Sequence, residues 1–210
     1  IHIHIGSGGE EHVWRLAVQK SLELVRQIPS AEILNMGGGF KIARVKSEKP
    51  ADLSNIMGVF ESELGIFARR TGRKIDLEIE PGAWLVGHAG VLLSTVMDIV
   101  DTGNDGFRFI KLDTGMNDLL RPAMYGAQHP IEVLNSSAKQ ADYVVVGHNC
   151  ETGDTLTPAP GRLEEIKPRK LNHAKIGDIL AIGGVGAYGA SMRAAGYNSF
   201  PSATEVFING

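Results

Sequence analysis

The sequence predicts two parts of different fold class, an α/β part over residues 1–88 and an all-β part over residues 89–210. Strand and helix patterns alternate up to His88, each of the three early strands ends in a glycine turn, and only short strand patterns follow. A complete (β/α)8 barrel takes about 250 residues and gathers its active site at the carboxyl ends of its strands. We therefore expect residues 1–88 to be the C-terminal part of such a barrel and residues 89–210 to be a β-sandwich or β-barrel domain.

The first βα unit is predicted from the spacing of apolar residues. Residues 1–5 alternate in the manner of a buried strand, residues 10–28 follow a helical period, and residues 31–36 form a second strand. The face that this helix is expected to bury consists of Val13, Leu16, Ala17, Leu24 and Ile28. An order of strand, helix and strand is typical of a parallel sheet.

A second helix and a third strand complete the α/β part. The helix is marked by apolar residues at three- and four-residue spacing: Leu53, Ile56, Met57, Phe60, Leu64 and Phe67. A turn at Thr71 and Gly72 then leads to a strand over residues 76–80. Strand patterns beyond His88 cover residues 91–101, 107–113, 143–148, 176–182 and 204–208. Their turn residues and the lack of helical spacing predict a mainly antiparallel β domain.

Composition excludes several classes of protein. The 21 basic and 24 acidic side chains leave a net charge of −3, which disfavours nucleic acid as a partner because phosphate backbones are bound by clustered Lys and Arg. No apolar run reaches the roughly 18 residues of a membrane span. One cysteine cannot build a disulfide framework, so a reducing, cytoplasmic compartment is expected. The chain opens on a strand pattern without Met, and we expect residue 1 to lie inside a larger parent protein.

Histidines and a carboxylate mark two of the predicted strand ends. His2 and His4 are two residues apart, so their side chains point to the same side of a strand. Such a pair could bind a metal; alternatively His2 packs in the core and His4 covers a ligand. Glu80 ends a strand before a proline and could be a metal ligand, a general base or the partner of a protonated ring nitrogen.

Glycine turns indicate where an anion could bind. Three consecutive glycines at residues 37–39 follow a strand, where backbone amides can converge on a phosphate or simply form a tight turn. Ser7 ends the preceding strand and offers a hydroxyl donor. Tyr188 lies between small residues that would let its ring approach a ligand closely.

The β part offers a thiol and a possible carboxylate-binding site. Cys150 lies in HNCETGD, a turn made acidic by Glu151 and Asp154. Cysteines are usually inert when buried, so this thiol is either a small packed side chain or a reactive group. Arg121 and Tyr125 in LRPAMYG could bind a carboxylate or belong to a surface loop.

Six motifs, taken in order, resemble those of the pyridoxal-phosphate-dependent decarboxylases of fold type III: HIHIGSGG, LNMGGGF, EIEPGAW, LRPAMYG, HNCETGD and GAYGASM. Within that family the sequence is most similar to the diaminopimelate decarboxylases. The resemblance covers nearly the whole chain and implies the last units of an alanine-racemase-like barrel followed by most of the C-terminal β domain. It implies decarboxylation of an amino acid with pyridoxal 5′-phosphate as cofactor. The expected substrate is meso-diaminopimelate, giving lysine, with ornithine, lysine, arginine and carboxynorspermidine as alternative substrates.

The same resemblance implies a cofactor site. Its residues would be His4, Ser7, Gly38, Gly39, Glu80, Gly82 and Tyr188. His4 would stack on the cofactor ring, and Glu80 would accept a hydrogen bond from the pyridine nitrogen and keep it protonated. The glycines, Ser7 and the Tyr188 hydroxyl would hold the phosphate.

Catalytic and substrate-binding roles follow from the resemblance as well. The catalytic residues would be Cys150 and His4. Of these, Cys150 would protonate the carbanion that remains when CO₂ leaves. Arg121 and Tyr125 would bind a substrate carboxylate, while Glu151 and Asp154 would line the substrate site, Glu151 toward the distal amino group. In the family's homodimers, Cys150, Glu151 and Asp154 would come from the second subunit, so the active site is shared between two chains.

Two departures from the family pattern bear on these expectations. Ala83 stands where EPGR has an arginine, which weakens the case for diaminopimelate, and Thr152 replaces the serine of CESGD. None of the ten lysines lies on an early barrel strand, where the family has its Schiff-base lysine, so residues 1–210 alone are expected to be inactive. Two hypotheses of other classes stay open: a metal-dependent hydrolase built on His2 and His4, and a non-catalytic homologue that serves as a dimerising or regulatory partner.

Overall fold

A computed structural model gives the structure of the chain and describes residues 1–134 and 137–208. Residues 135–136 and 209–210 of the predicted β domain lie outside the described residues. The chain divides into two compact units, Ile1–Leu85 and Val86–Gly210. No helix within the described ranges is long and apolar enough to cross a membrane.

Helices and parallel strands alternate in the first unit, as predicted. The elements are α1 (Glu11–Gln27), β1 (Ile33–Asn35), α2 (Leu53–Thr71), β2 (Asp76–Glu78) and the short α3 (Gly82–Val86), where the chain passes from one unit to the next. β1 and β2 pair in parallel, with Leu34 opposite Leu77. The predicted strand over residues 1–5 is reduced to a parallel bridge between His2 and Asn35, although the amide of Ile3 also donates to the carbonyl of Asn35 at 3.0 Å.

The bounds of α1 agree with the prediction, but the predicted buried face is wrong. Its buried residues are Trp14, Val18, Ser21, Leu22 and Val25. Val13, Leu16, Leu24 and Ile28 are exposed, and of the predicted face only Ala17 packs against the core. Both sets of residues have helical spacing, so tertiary contacts decide between them: the ring of Trp14 stacks on Phe40 with centroids 4.6 Å apart.

The second helix buries the face that its spacing predicted. Ile56, Phe60 and Phe67 are buried, and Leu53, Met57 and Leu64 pack against the same core. The helix begins after Asp52, whose carboxylate accepts a hydrogen bond from the amide of Asn55 at 3.0 Å. It ends at Gly72, whose φ of 71° is a left-handed conformation that suits glycine.

A six-stranded sheet forms most of the second unit. Its strands are β3 (Val91–Asp101), β4 (Arg108–Leu112), β5 (Ile131–Val133), β6 (Gln140–Val146), β9 (Arg169–Asn172) and β10 (Ile179–Gly183). In the order β5-β10-β3-β4-β6-β9 only the β4–β6 pair is parallel. The edge strands β5 and β9 contact each other, so the sheet curls into a nearly closed barrel. A hairpin of β7 (Pro158–Ala159) and β8 (Arg162–Ile166) and the short helix α4 (Arg121–Tyr125) complete the unit.

The β domain confirms the predicted class, with corrections to single strands. β3 has the predicted bounds, whereas β6 begins three residues before the predicted 143–148 because Gln140, Ala141 and Asp142 pair with β9. The strand predicted over residues 204–208 is wrong, because these residues have no regular secondary structure and Val206, Phe207 and Ile208 are exposed.

Candidate functional site

The three glycines at residues 37–39 lie where separate chain segments approach closely. A Cβ on Gly37 would collide with the carbonyl oxygen of Ile3, and one on Gly39 with that of Gly6. A Cβ on Gly38 would lie 2.6 Å from the carbonyl oxygen of Glu80. The ends of all three predicted strands of the first unit therefore meet at this turn, and only glycine allows that approach.

His4 is oriented by this glycine turn. The amide of Gly38 donates to Nδ1 of His4 at 3.2 Å, which places the ring proton on Nε2. The side chain is otherwise exposed, so its ring is accessible to a ligand.

Glu80 and Asn35 form a second polar group at the same strand ends. Oε1 of Glu80 accepts a hydrogen bond from Nδ2 of Asn35 at 3.0 Å and lies 3.5 Å from Nε2 of His2. The Asn35 side chain also accepts from the amide of Gly37 at 2.8 Å, so it joins the carboxylate to the glycine turn. Oε2 of Glu80 accepts no hydrogen bond from the described residues. Asn35 had not been predicted, because an amide at a strand end has no distinctive spacing.

Ser7 lies beside the glycine turn and lines a cavity. This cavity, of about 500 Å³, is also lined by Gly8, Gly9, Lys41 and Lys49. Gly8 donates to the carbonyl oxygen of Gly39 at 2.9 Å, which ties the Ser7 loop to the 37–39 turn. Gly82, by contrast, has open space around the position of a Cβ.

In the second unit, Arg121 is associated with two tyrosines. Its guanidinium carbon lies 5.8 Å from the ring centroids of both Tyr125 and Tyr188, so the predicted Arg121 and Tyr125 pair includes Tyr188 as well. Tyr188 has a φ of 58°, a strained left-handed conformation for a residue with a Cβ, and strain of this kind clusters at functional sites.

The thiol of Cys150 is free and exposed, in a turn that Asp154 holds together. Asp154 is buried, and its carboxylate accepts hydrogen bonds from the amides of Met116 at 2.6 Å and Asn149 at 2.8 Å. Glu151 is exposed. A hydrogen bond from the amide of Gly153, and next one from the hydroxyl of Tyr197, hold the pKa of the Glu151 carboxyl below its usual range.

No group of three or more His, Cys, Asp and Glu side chains within residues 1–134 and 137–208 could hold a metal ion. His2 instead lies beside Glu80. The metal-dependent hydrolase hypothesis therefore gains no third ligand from the described part of the chain.

Comparisons with known proteins agree on one family. Residues 1–87 match the pyridoxal binding domain of the pyridoxal-dependent decarboxylases, and residues 51–186 match their C-terminal sheet domain. Diaminopimelate decarboxylase of Escherichia coli is 36% identical over 221 residues, which cover 100% of this chain and 51% of that protein. The chain thus spans about half the length of the curated relatives it matches.

Solved structures show the same likeness. A crystal structure of diaminopimelate decarboxylase has a TM-score of 0.85 at 35% identity, covering 95% of this chain and 48% of that chain. Diaminopimelate decarboxylase from Helicobacter pylori complexed with L-lysine has a TM-score of 0.76 at 30% identity, covering 94% of this chain and 46% of that chain. These likenesses confirm the predicted fold class.

Proposed function

Since this chain belongs to the family of pyridoxal-dependent decarboxylases, we propose that the protein containing it decarboxylates an amino acid with pyridoxal 5′-phosphate as cofactor. The observation that carries the proposal is the meeting of three strand ends at residues 37–39. There the amide of Gly38 orients His4, and Glu80 lies within hydrogen-bond distance of Asn35.

The residues of the first unit fit this cofactor. His4 presents an accessible ring to stack on a planar heterocycle. Glu80 has a carboxylate oxygen, Oε2, that is available to a protonated ring nitrogen. The glycines and Ser7 can bring amides and a hydroxyl to a phosphate, and Tyr188 in the second unit would add its hydroxyl. When bound, the cofactor would supply an electron sink for the carbanion that forms as CO₂ leaves.

The chain's own residues would bind the substrate and control the proton. In the proposed reaction the Cys150 thiol donates a proton to the substrate carbon from which CO₂ departs. Glu151, held ionised by Gly153 and Tyr197, would pair with a distal ammonium group. Arg121 would bind a carboxylate, and the rings of Tyr125 and Tyr188 lie beside its guanidinium. Asp154 would act on the substrate through the turn that it holds, since its carboxylate is buried.

We propose meso-diaminopimelate as the substrate, with lysine as the product. Two features support it: the Arg121 site, which suits a distal carboxylate, and the relatives of that name, one of which was solved with L-lysine. Ala83 favours the basic amino acids instead, because it lacks the guanidinium of EPGR. CO₂ release by the complete protein from meso-diaminopimelate, ornithine, lysine, arginine and carboxynorspermidine separates these proposals. Release from ornithine or lysine but not from diaminopimelate would reject the first.

Further proposals concern the intact protein. Activity should need the complete chain, because none of the ten lysines present lies on an early barrel strand. A homodimer with a shared active site is proposed, and sedimentation of the complete protein tests it. A reducing, cytoplasmic compartment is proposed because the free thiol of Cys150 is exposed.

A further inference from the structure

The loop that carries Cys150 is held by side chains from a later segment of the second unit. The amide of Cys150 donates a hydrogen bond to Oδ1 of Asn198 at 2.8 Å. The hydroxyl of Tyr197 donates to Oε2 of Glu151 at 3.0 Å. Cys150 and Glu151 are thus paired with Asn198 and Tyr197 in antiparallel order, and both contacts use a side chain of the later segment.

A ring stack adds a third contact to the same pairing, two residues beyond Cys150 and Asn198. Phe200 stacks on His148 with ring centroids 3.7 Å apart and planes 9° apart. His148 is in turn hydrogen-bonded through Nε2 to Oδ1 of Asn117 at 3.0 Å. Tyr197, Asn198 and Phe200 therefore contact Glu151, Cys150 and His148 in reverse sequence order.

The later segment, residues 197–200, has a strained backbone conformation. Asn198 has φ 51° and ψ 22°, and Ser199 has φ 63°, so two consecutive residues with a Cβ are left-handed. Such conformations persist only where surrounding contacts enforce them, and they cluster at functional sites. Asparagine is among the residues that tolerate this region best, which fits its place at the central contact.

We propose that Tyr197, Asn198 and Phe200 are positioning residues that hold Cys150 and Glu151 for catalysis; the catalytic part of this proposal rests on the proposed function. We call these three residues the 197–200 clamp. Fixing the Cys150 amide restrains the backbone from which the Cα–Cβ bond extends and so limits Sγ to the few positions that its χ1 rotamers allow. A displacement of about 1 Å at a reacting group can cost on the order of 100-fold in rate.

Asn198 is tested by variants that separate its acceptor from its backbone conformation. Asn198→Gly favours the left-handed conformation but removes Oδ1, whereas Asn198→Asp keeps a side-chain acceptor at the same position. In the complete protein, we expect Asn198→Gly to speed amide hydrogen exchange at Cys150 by about tenfold or more and Asn198→Asp to keep the wild-type rate. Ser199→Gly is the matched control: it relieves the neighbouring strain and should leave this exchange rate unchanged.

The catalytic consequence is measured on the same proteins. Asn198→Gly should lower kcat by about tenfold or more with little change in KM, because Cys150 is misplaced while substrate contacts remain. Asn198→Asp should recover most of that loss, and Ser199→Gly should have the wild-type kcat.

Tyr197 is tested through the charge of Glu151. In Tyr197→Phe the Glu151 carboxyl loses a hydrogen bond that favours its ionised form, so its pKa rises toward the usual value. The acidic limb of kcat/KM should therefore shift to higher pH, with KM rising at low pH while kcat at high pH is retained. A merely structural role would change activity at all pH values alike.

Two kinds of failure are distinguishable. Equal Cys150 exchange in wild type and Asn198→Gly overturns the clamp whether or not the protein is a decarboxylase. A wild type that releases no CO₂ from any tested amino acid overturns the proposed function, while the exchange measurement still decides whether the clamp holds the loop. An active wild type with an unchanged kcat in Asn198→Gly overturns the catalytic part alone.

Discussion

Gly38→Ala is the substitution that tests the glycine turn most directly. Gly37 and Gly39 have φ values of 67° and 94°, so any side chain there is strained by the backbone itself. Gly38 has no such φ, and the effect of a Cβ at this position comes from contacts alone. The added methyl would lie 2.6 Å from the carbonyl oxygen of Glu80, where ordinary contacts begin at 3.4 Å. The two strand ends would therefore have to separate by about 0.8 Å.

That displacement sets the expected magnitude. Overpacking of this kind costs about 1–3 kcal/mol of stability, and a shift near 1 Å at a site can cost on the order of 100-fold in rate. The change also moves the amide that orients His4 and the residue whose carboxylate faces the proposed ring nitrogen. Because these binding groups are displaced, we expect the affinity of the complete protein for the cofactor to fall at least about tenfold, which is about 1.4 kcal/mol of binding free energy.

Gly58→Ala provides the matched control. Gly58 is exposed within α2, and a Cβ there meets nothing within 4 Å. This substitution should stabilise the protein by about 0.5–1 kcal/mol, because alanine replaces glycine in a helix interior. Titration of the apoprotein with pyridoxal 5′-phosphate, followed by absorbance, measures the affinity of both variants, and thermal unfolding measures their stability. The reasoning is refuted if Gly38→Ala binds the cofactor and unfolds as Gly58→Ala does.

Three further predictions address other parts of the molecule. Cys150→Ala should lower kcat by about 100-fold or more, which is the usual contribution of a general acid. Cofactor affinity measured by titration should stay at the wild-type value, and unchanged turnover would rule out Cys150 as the proton donor. Arg121→Lys should raise KM for meso-diaminopimelate about tenfold, because an ammonium cannot replace a planar guanidinium. The inhibition constant of the product lysine, which lacks the distal carboxylate, should stay the same, and a parallel rise of both constants in steady-state kinetics would contradict this. Trp14→Ala should destabilise the first unit by about 3–5 kcal/mol, because the substitution leaves a cavity at a fully buried position. Amide exchange of α1 measures the loss, and exchange like that of the wild type would show that the stack of Trp14 on Phe40 is dispensable.

Spacing in the sequence predicted elements better than it predicted their packing. The bounds of α1 followed from apolar residues at helical spacing, yet apolar residues occupy two adjoining stripes of that helix. Val13, Leu16 and Leu24 are exposed because α2 and Phe40 pack against the other stripe, through Trp14 and Val18. Propensity alone cannot choose between two stripes of equal character, since that choice depends on residues distant in sequence.

Short polar strands escaped prediction for a related reason. β8 has the sequence RLEEI and β9 the sequence RKLN, which carry charged side chains rather than an apolar alternation. Each is a strand because a partner supplies its hydrogen bonds: β7 pairs with β8, and β6 pairs with β9. Backbone hydrogen bonds to a neighbouring strand impose no residue periodicity on a strand added at the edge of a sheet.

The glycine turn of the first unit and the 197–200 clamp of the second differ in the same way. The glycine turn can be predicted from the sequence, because only glycine allows the backbone to approach so closely. Three consecutive glycines at residues 37–39 therefore indicate this geometry directly. No comparable residue pattern marks the 197–200 clamp in the sequence. Asn198 and Cys150 are 48 residues apart, and any residue with an accepting side chain that tolerates a left-handed φ would serve at position 198. What would hold Cys150 for the proposed proton transfer is therefore a contact that becomes apparent only in the folded chain. For this reason the variants at Asn198 test the proposed positioning more sharply than variants at Cys150 itself.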